Sequence, residues 1–425
     1  MKSSRFLIPL TCVFGAAQVI AQEGLFDRVS EHLKVSAFDG QVRAQFSGLV
    51  DLDGYYIQQP PPGLIFTDKE YLLNPRFTLF LDLQLGPNIY GFAQARVDRG
   101  FDPGESDAEV RLDEYAIRIS PWDDGRFSLQ FGRFATIAGN WVARHYSWDN
   151  PFITAPVPYE NVTGIWDSGP PWTSDTLLGW AHVPATIPGT GNTGEVHYGD
   201  EYSDKYLRNP IIWGPSYATG AAAFGRIGRF EYAAEIKNAA LSSRPESWDL
   251  NEVGFDDPTF TARFGFRPNP TWNFGVSGSA GTFLVPSAQA FTPAGKDLSD
   301  YRQIVLGQDI SFEWHHLQVW AEFFETRFEI PYVGGADTFA YYLEAKYKFG
   351  AQFFGALRWN QQFFGTVLDG GIDRPWGRDL WRLDAACGYR LTAHAQIKLQ
   401  YSLEHEAFAT RGNSHTLAGQ VTLKF

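Results

Sequence analysis

Two things are scarce in this chain of 425 residues: cysteine, present twice, and methionine, present once. Cys12 falls in an amino-terminal segment read below as cleaved, which leaves Cys387 alone and excludes an intramolecular disulfide framework. Long apolar runs are missing too. Beyond the first twenty residues no stretch of about 18 apolar residues occurs, so no membrane-spanning helix is available. A basic surplus is also absent: the formal charge is −13, which argues against nucleic acid as a partner. Nine histidines are present without a CxxC or HExxH partner. His315-His316 falls in an expected turn, while His394, His405 and His415 lie on separate strand regions. No nucleophile motif accompanies them, so neither an enzyme nor a metal or other cofactor is expected.

Aromatic residues are abundant. They make up 16% of the chain, with 14 Trp and 35 Phe beside 42 Gly, yet the composition is not apolar overall. Such a mixture fits strands that alternate lipid-facing and water-facing residues. The last thirteen residues show that pattern. Leu417, Gly419, Val421, Leu423 and Phe425 alternate with Thr416, Ala418, Gln420, Thr422 and Lys424, a period of two. Met1 to Ala21 reads as an export signal: Lys2 and Arg5 precede an apolar stretch, and Val19 and Ala21 are small enough for cleavage before Gln22. Residues 22–43 read as a polar lead-in on the periplasmic side, with Leu25, Phe26, Val29 and Leu33 at helical spacing.

From Ala44 onward sixteen candidate strands follow, and their connections alternate in length. Gly86-Pro87, Ile227-Gly228, Trp314-His315, Gly350-Ala351 and Thr392-Ala393 are tight turns. The alternate set, including Gln58–Pro75, Ala240–Asp257, Glu329–Asp337 and Gly365–Asp379, is longer. Short turns on one side and long loops on the other predict an all-β, closed antiparallel transmembrane barrel over residues 44–425. No four-strand blade repeats, which argues against a propeller.

An alternating final strand that stops on Phe425 resembles the closing strand of Gram-negative outer-membrane barrels, and the whole pattern resembles their porins. That resemblance implies residence in outer-membrane lipid, Phe425 as the signal read by the barrel-assembly machinery, and a trimer formed through the barrel walls. It also implies a constriction loop after strand 5, where this chain carries residues 135–216. FGRFATIAG (Phe131–Gly139) looks like the entry to the inward loop of the phosphate-selective O/P group, with Ile137-Ala138 where that group has proline. The loop's first part concentrates Trp141, Arg144, His145, Trp148, Asp149, Tyr159, Glu160, Trp166 and Asp167 as candidate constriction residues. The same loop, ordered by its prolines, could instead cap the barrel outside.

Alternation places Lys346, Lys348, Arg358, Arg382, Arg390 and Lys398 on the polar faces of strands 12 to 15. Glu231, Glu235, Asp309, Glu313 and Glu322 fall on earlier ones. Opposed basic and acidic walls would set a field across a water column. Alternatively, neighbours such as Glu344–Lys346 and Arg382–Asp384 satisfy one another in pairs. The expected function is passive diffusion of small hydrophilic solutes or ions, with anions such as phosphate among them. Two other readings stay open: a sugar-specific channel with an aromatic track begun by Trp320, Phe324 and Tyr342, and a barrel whose outer loops bind surfaces.

Overall fold

A computed structural model describes residues 24, 26–58, 65, 70–100, 107–169, 172–173, 177, 185–186, 193–194, 208–407 and 413–425. The expected export signal at 1–21 and the run Pro60–Pro62 lie outside the described residues. Among the described residues, sixteen strands form one closed antiparallel barrel. They are β1 (Val42–Ile57), β2 (Tyr71–Leu85), β3 (Ile89–Asp98), β4 (Glu109–Ile119), β5 (Ser128–Arg133), β6 (Thr219–Ile227), β7 (Phe230–Lys237) and β8 (Thr259–Asn269). The second half comprises β9 (Trp272–Thr282), β10 (Arg302–Trp314), β11 (Leu317–Ile330), β12 (Gly334–Lys348), β13 (Phe353–Phe364), β14 (Leu380–Arg390), β15 (Ala395–Glu406) and β16 (Asn413–Lys424). Each strand pairs with the next, and β16 returns to β1 from Leu49↔Lys424 to Ile57↔Thr416.

The two faces of the wall are inverted relative to a soluble sheet. Leu383 and Leu399 are 39% and 55% exposed, while their neighbours Asp384 and Lys398 are 0% and 1% exposed. Apolar side chains therefore point out and charged ones point in, as a barrel surrounded by lipid requires. The period-two pattern in the sequence carries this directly, because successive strand residues face opposite sides.

Phe425 adds contacts at the end of the β16–β1 seam. The Phe425 and Gly48 amides donate to each other's carbonyls at 3.1 Å, and the Phe425 ring stacks 6.3 Å from Phe77. A side chain at Gly48 would intrude on that ring. Gly48→Val is expected to cost about 1–3 kcal/mol through overpacking at the seam. The checking measurement is the temperature at which the barrel loses its compact mobility in detergent electrophoresis, and an unchanged midpoint would contradict the packing argument. Below the end of β16, Lys34–Ala37 pairs with residues 42–45 and covers the remaining edge of β1, following helical residues 26–32. The lead-in expected to reach residue 43 is therefore shorter, because Val42 and Arg43 already pair with Leu85 and Gln84 in the barrel.

Two other boundaries differ from expectation. β2 starts at Tyr71 rather than Arg76 and runs through Pro75, paired with Leu52. Pairing with β3 stops at Phe77↔Val97, so Pro75 sits where the strand has a neighbour on one side only and a missing N–H is tolerated. The connection expected over Glu329–Asp337 shrinks to the three residues between Ile330 and Gly334. There the pattern reverses. Phe328, Ile330 and Ala336 are buried on the inner side, while Arg327 and Asp337 are outside and ion-paired at 3.3 Å. The inner side at this rim is dry, because Trp376, Phe283, Ile165 and Trp172 pack against it as one cluster.

Candidate functional site

The segment after β5 is held to the inner face of β11–β15 by its backbone as much as by its side chains. Irregular backbone carries amide and carbonyl groups that need partners, and inward-pointing polar side chains supply them. The entry turns at Gly139, whose φ of +75° suits glycine. Past it, the Asn140 and Trp141 amides donate to one Glu322 oxygen on β11, the latter at 3.0 Å, and the Tyr159 hydroxyl donates to the other at 2.7 Å. On β15 the Lys398 ammonium donates to the carbonyls of Ser147, Asn150 and Phe152 at 2.7, 2.9 and 3.1 Å. The neighbouring Gln400 accepts from the Ile153 and Thr154 amides.

Between these two anchors runs a chain of alternating charge. Arg144 of the loop pairs with Glu344 of β12 at 2.5 Å, and Glu344 lies 3.6 Å from Arg358 of β13. Arg358 donates to Asp384 of β14 at 2.8 Å and to the carbonyls of Thr154 and Ala155. Asp384 lies 3.1 Å from Arg382, which returns to Glu160 in the loop. Each of these charges is buried, and a buried charge is tolerable only with an opposite partner and satisfied hydrogen bonds.

The remaining expected constriction residues divide. The Trp141 ring lies tilted against Tyr159 with centroids 4.6 Å apart, and Arg144 lies 4.2 Å over Trp320. His145 bonds the Val142 carbonyl and the Tyr217 hydroxyl, and burial pushes its imidazole down to about 4, so it is neutral. Trp148 is buried beneath Arg390 and Lys424, whereas Asp149 is exposed. Trp166 carries Arg208 over its ring at 4.7 Å. Asp167 is buried against Arg244 at 2.5 Å, and burial raises its carboxyl to about 6 despite that cation. It belongs with the packed mouth rather than with the clamp.

The wall charges do not present two free, opposed sheets of charge. Arg358, Arg382, Lys398 and Glu322 bind the loop, and Glu235 accepts from Thr136 at 2.8 Å. Asp309 pairs with Arg263 at 2.7 Å, Glu231 with Arg267 at 2.8 Å, and Glu313 accepts from Gln318. Lys346 lies 4.4 Å over the Phe354 ring, Arg390 reaches Gln396, and Lys348 is half-buried. These inward charges meet nearby partners or the loop's polar backbone, the arrangement left open above beside a transverse field. Trp320, Phe324 and Tyr342 are likewise covered by the loop, with Phe324 edge-on to Tyr159 and the Tyr342 hydroxyl bonded to Arg144.

Space remains against β1–β4, where no site residue was expected, beside Tyr146, whose hydroxyl bonds Gln94 and Glu114. A cavity of about 140 Å³ separates the loop from this wall. Arg76, Arg96 and Arg111 stand on the adjacent strands β2, β3 and β4, each beside aspartate: Arg76–Asp53 at 2.9 Å, Arg96–Asp113 at 3.3 Å and Arg111–Asp98 at 2.8 Å. The sequence does carry a signal for them in Asp51-x-Asp53, Arg96-x-Asp98 and Arg111-x-Asp113, each placing two charges on the inward face. A wider space of about 850 Å³ opens toward the short-turn end, between Tyr90, Arg118, Gln130 and Arg263. Among the described residues no cluster of three His, Cys, Asp or Glu could hold a metal ion.

No family model and no curated protein matches the chain. Solved structures do. The chain is similar to OmpF of Salmonella typhi in complex with daunomycin, with a TM-score of 0.56 at 11% identity over 92% of this chain and 100% of that one. It is similar to an anion-selective porin from Comamonas acidovorans, with a TM-score of 0.54 at 12% identity over 90% and 100%. The outer-membrane channel DcaP of Acinetobacter baumannii gives 0.54 at 9% over 92% and 100%. At such identities the likeness is one of fold.

Proposed function

We propose that this barrel is an outer-membrane channel through which small hydrophilic solutes diffuse passively, with no chemical step. The observation that carries the reading is the combination of an apolar outer wall with a charged interior across which the loop is anchored, chiefly to β11–β15 and through Tyr146 to β3 and β4. Sixteen strands enclose room for an aqueous passage, and a loop inside them narrows it. The solved structures of this fold include a porin and a channel by description. On this reading residues 1–21 direct export, Phe425 marks the chain for barrel assembly, lipid surrounds the outer face, and the barrels associate as trimers. The segment around Trp141, Arg144, Tyr159 and Glu160 is the constriction. A phosphate-specific site finds little support, since each arginine at the opening has an aspartate beside it that a multiply charged anion would also face. A sugar track finds little either, since its aromatics lie under the loop.

Purified protein in planar bilayers is expected to give stepwise, ohmic conductance. Protein that inserts and yields no current would end the channel reading.

A further inference from the structure

The cavity between the loop and β1–β4 is bounded by three arginines, Arg76, Arg96 and Arg111, and three carboxylates, Asp51, Asp98 and Glu160. The lining therefore presents charges of both signs, each arginine beside an aspartate. A solute carrying only one kind of charge would meet like charges as well as opposite ones. A solute carrying one charge of each sign would find partners for both ends. The cavity also concentrates unmet hydrogen-bonding capacity. Asn74 Oδ1, Gln420 Oε1, Trp141 Nε1, Ser147 Oγ and Arg76 Nε have no hydrogen-bond partner among the described residues. Asn74, Gln420 and Trp141 are only 5%, 2% and 4% exposed, so bulk water is largely denied to them. Buried polar groups in folded proteins are nearly always satisfied, and a group of five along one cavity marks a place built to be filled by something polar. Both donors and acceptors are represented. The volume is close to that of an engineered cavity of about 150 Å³ known to hold benzene, which sets the size class.

We propose that this cavity is a binding station for small zwitterions of the α-amino-acid type, and that such solutes pass the constriction by way of it. The carboxylate end meets the arginines and the ammonium end meets the carboxylates. Tyr146, Phe152 and Tyr217 close the remaining side. This rests on the channel reading above and narrows it to a solute class.

The experiment compares L-alanine with sodium L-lactate, which has the same skeleton and a hydroxyl in place of the ammonium. Each is titrated at constant ionic strength into single-channel recordings in potassium chloride. L-Alanine is expected to reduce the current saturably, with a half-blocking concentration about fivefold below that of lactate, the effect of about one screened ion pair. Asp98→Asn leaves three arginines against two carboxylates and is expected to reverse the order. Trp141→Phe keeps an aromatic ring and removes the unmet N–H; that donor can serve the carboxylate both solutes carry, so block by both is expected to weaken, which provides a reading should the charged variant fail to assemble. Equal block by both solutes in the natural protein, with currents intact, overturns the zwitterion assignment and leaves the channel standing. Unchanged L-alanine block in Trp141→Phe also overturns it. An absence of current in the natural protein removes both.

Discussion

Arg358→Met is expected to release the loop from the wall while leaving the barrel closed. The guanidinium sits between Glu344 at 3.6 Å and Asp384 at 2.8 Å and also holds the Thr154 and Ala155 carbonyls. Methionine fills much of the volume but supplies no charge and no donor. Glu344 would keep Arg144, and Asp384 would keep Arg382, so each carboxylate retains one partner. The Thr154 carbonyl loses its donor, and the Ala155 carbonyl keeps only Arg382. Breaking one partner out of a buried charged network typically costs about 3–5 kcal/mol, and this position belongs in that range because the side chain is wholly buried. The β12–β13–β14 ladder does not pass through the side chain, so the strands still pair. Bilayer recordings should accordingly show a larger and noisier conductance, and the thermal midpoint in detergent should fall by several degrees. Arg358→Lys should be intermediate, since a single ammonium cannot reproduce the planar fork. A conductance and midpoint equal to those of the natural protein would show that the clamp does not position the loop.

Gly139→Val attacks the same loop at its entry. Two separate effects add there. The φ of +75° is poorly tolerated by a β-branched residue. The new side chain would also intrude on the Glu322 carboxylate and the Tyr159 hydroxyl. Together these are expected to cost about 3–5 kcal/mol, combining a left-handed backbone with overpacking. Gly228 separates the two. Its φ is +61°, and nothing lies within 4 Å of where its Cβ would stand. Gly228→Val should therefore show the backbone penalty alone, about 1–2 kcal/mol. Gly139→Val should raise conductance, whereas Gly228→Val, in the tight turn between β6 and β7, should leave it unchanged. Equal thermal shifts in the two variants, with both conductances unaltered, would refute the role given to the Glu322 anchor.

The inner polar face illustrates how far a sequence can be read. Period-two alternation identifies Arg358, Arg382, Lys398 and Glu322 as inward, and they are inward. Alternation does not say what an inward charge meets. Water and a loop carbonyl both satisfy an ammonium, so Lys398 reads the same whether it faces a channel or holds Ser147, Asn150 and Phe152. The partners are also distant along the chain: Arg144 and Glu344 are 200 residues apart, and Glu160 and Arg382 are 222 apart. No spacing rule links positions so separated. Arg76, Arg96 and Arg111 are hidden from a sequence reading for a related reason, since only the folded loop decides that a cavity remains beside them.

The sequence by itself determined the wall: sixteen amphiphilic strands, their direction of alternation, the parity of short and long connections, and the seam at Phe425. These are local properties, set by which residues stand two apart and where the turns fall. Tertiary structure alone decided where the loop lies, which charges it uses up and where space remains. That outcome depends on the backbone of residues 139–161 finding hydrogen-bond partners on four strands, β11, β13, β14 and β15, brought together only when the cylinder closes.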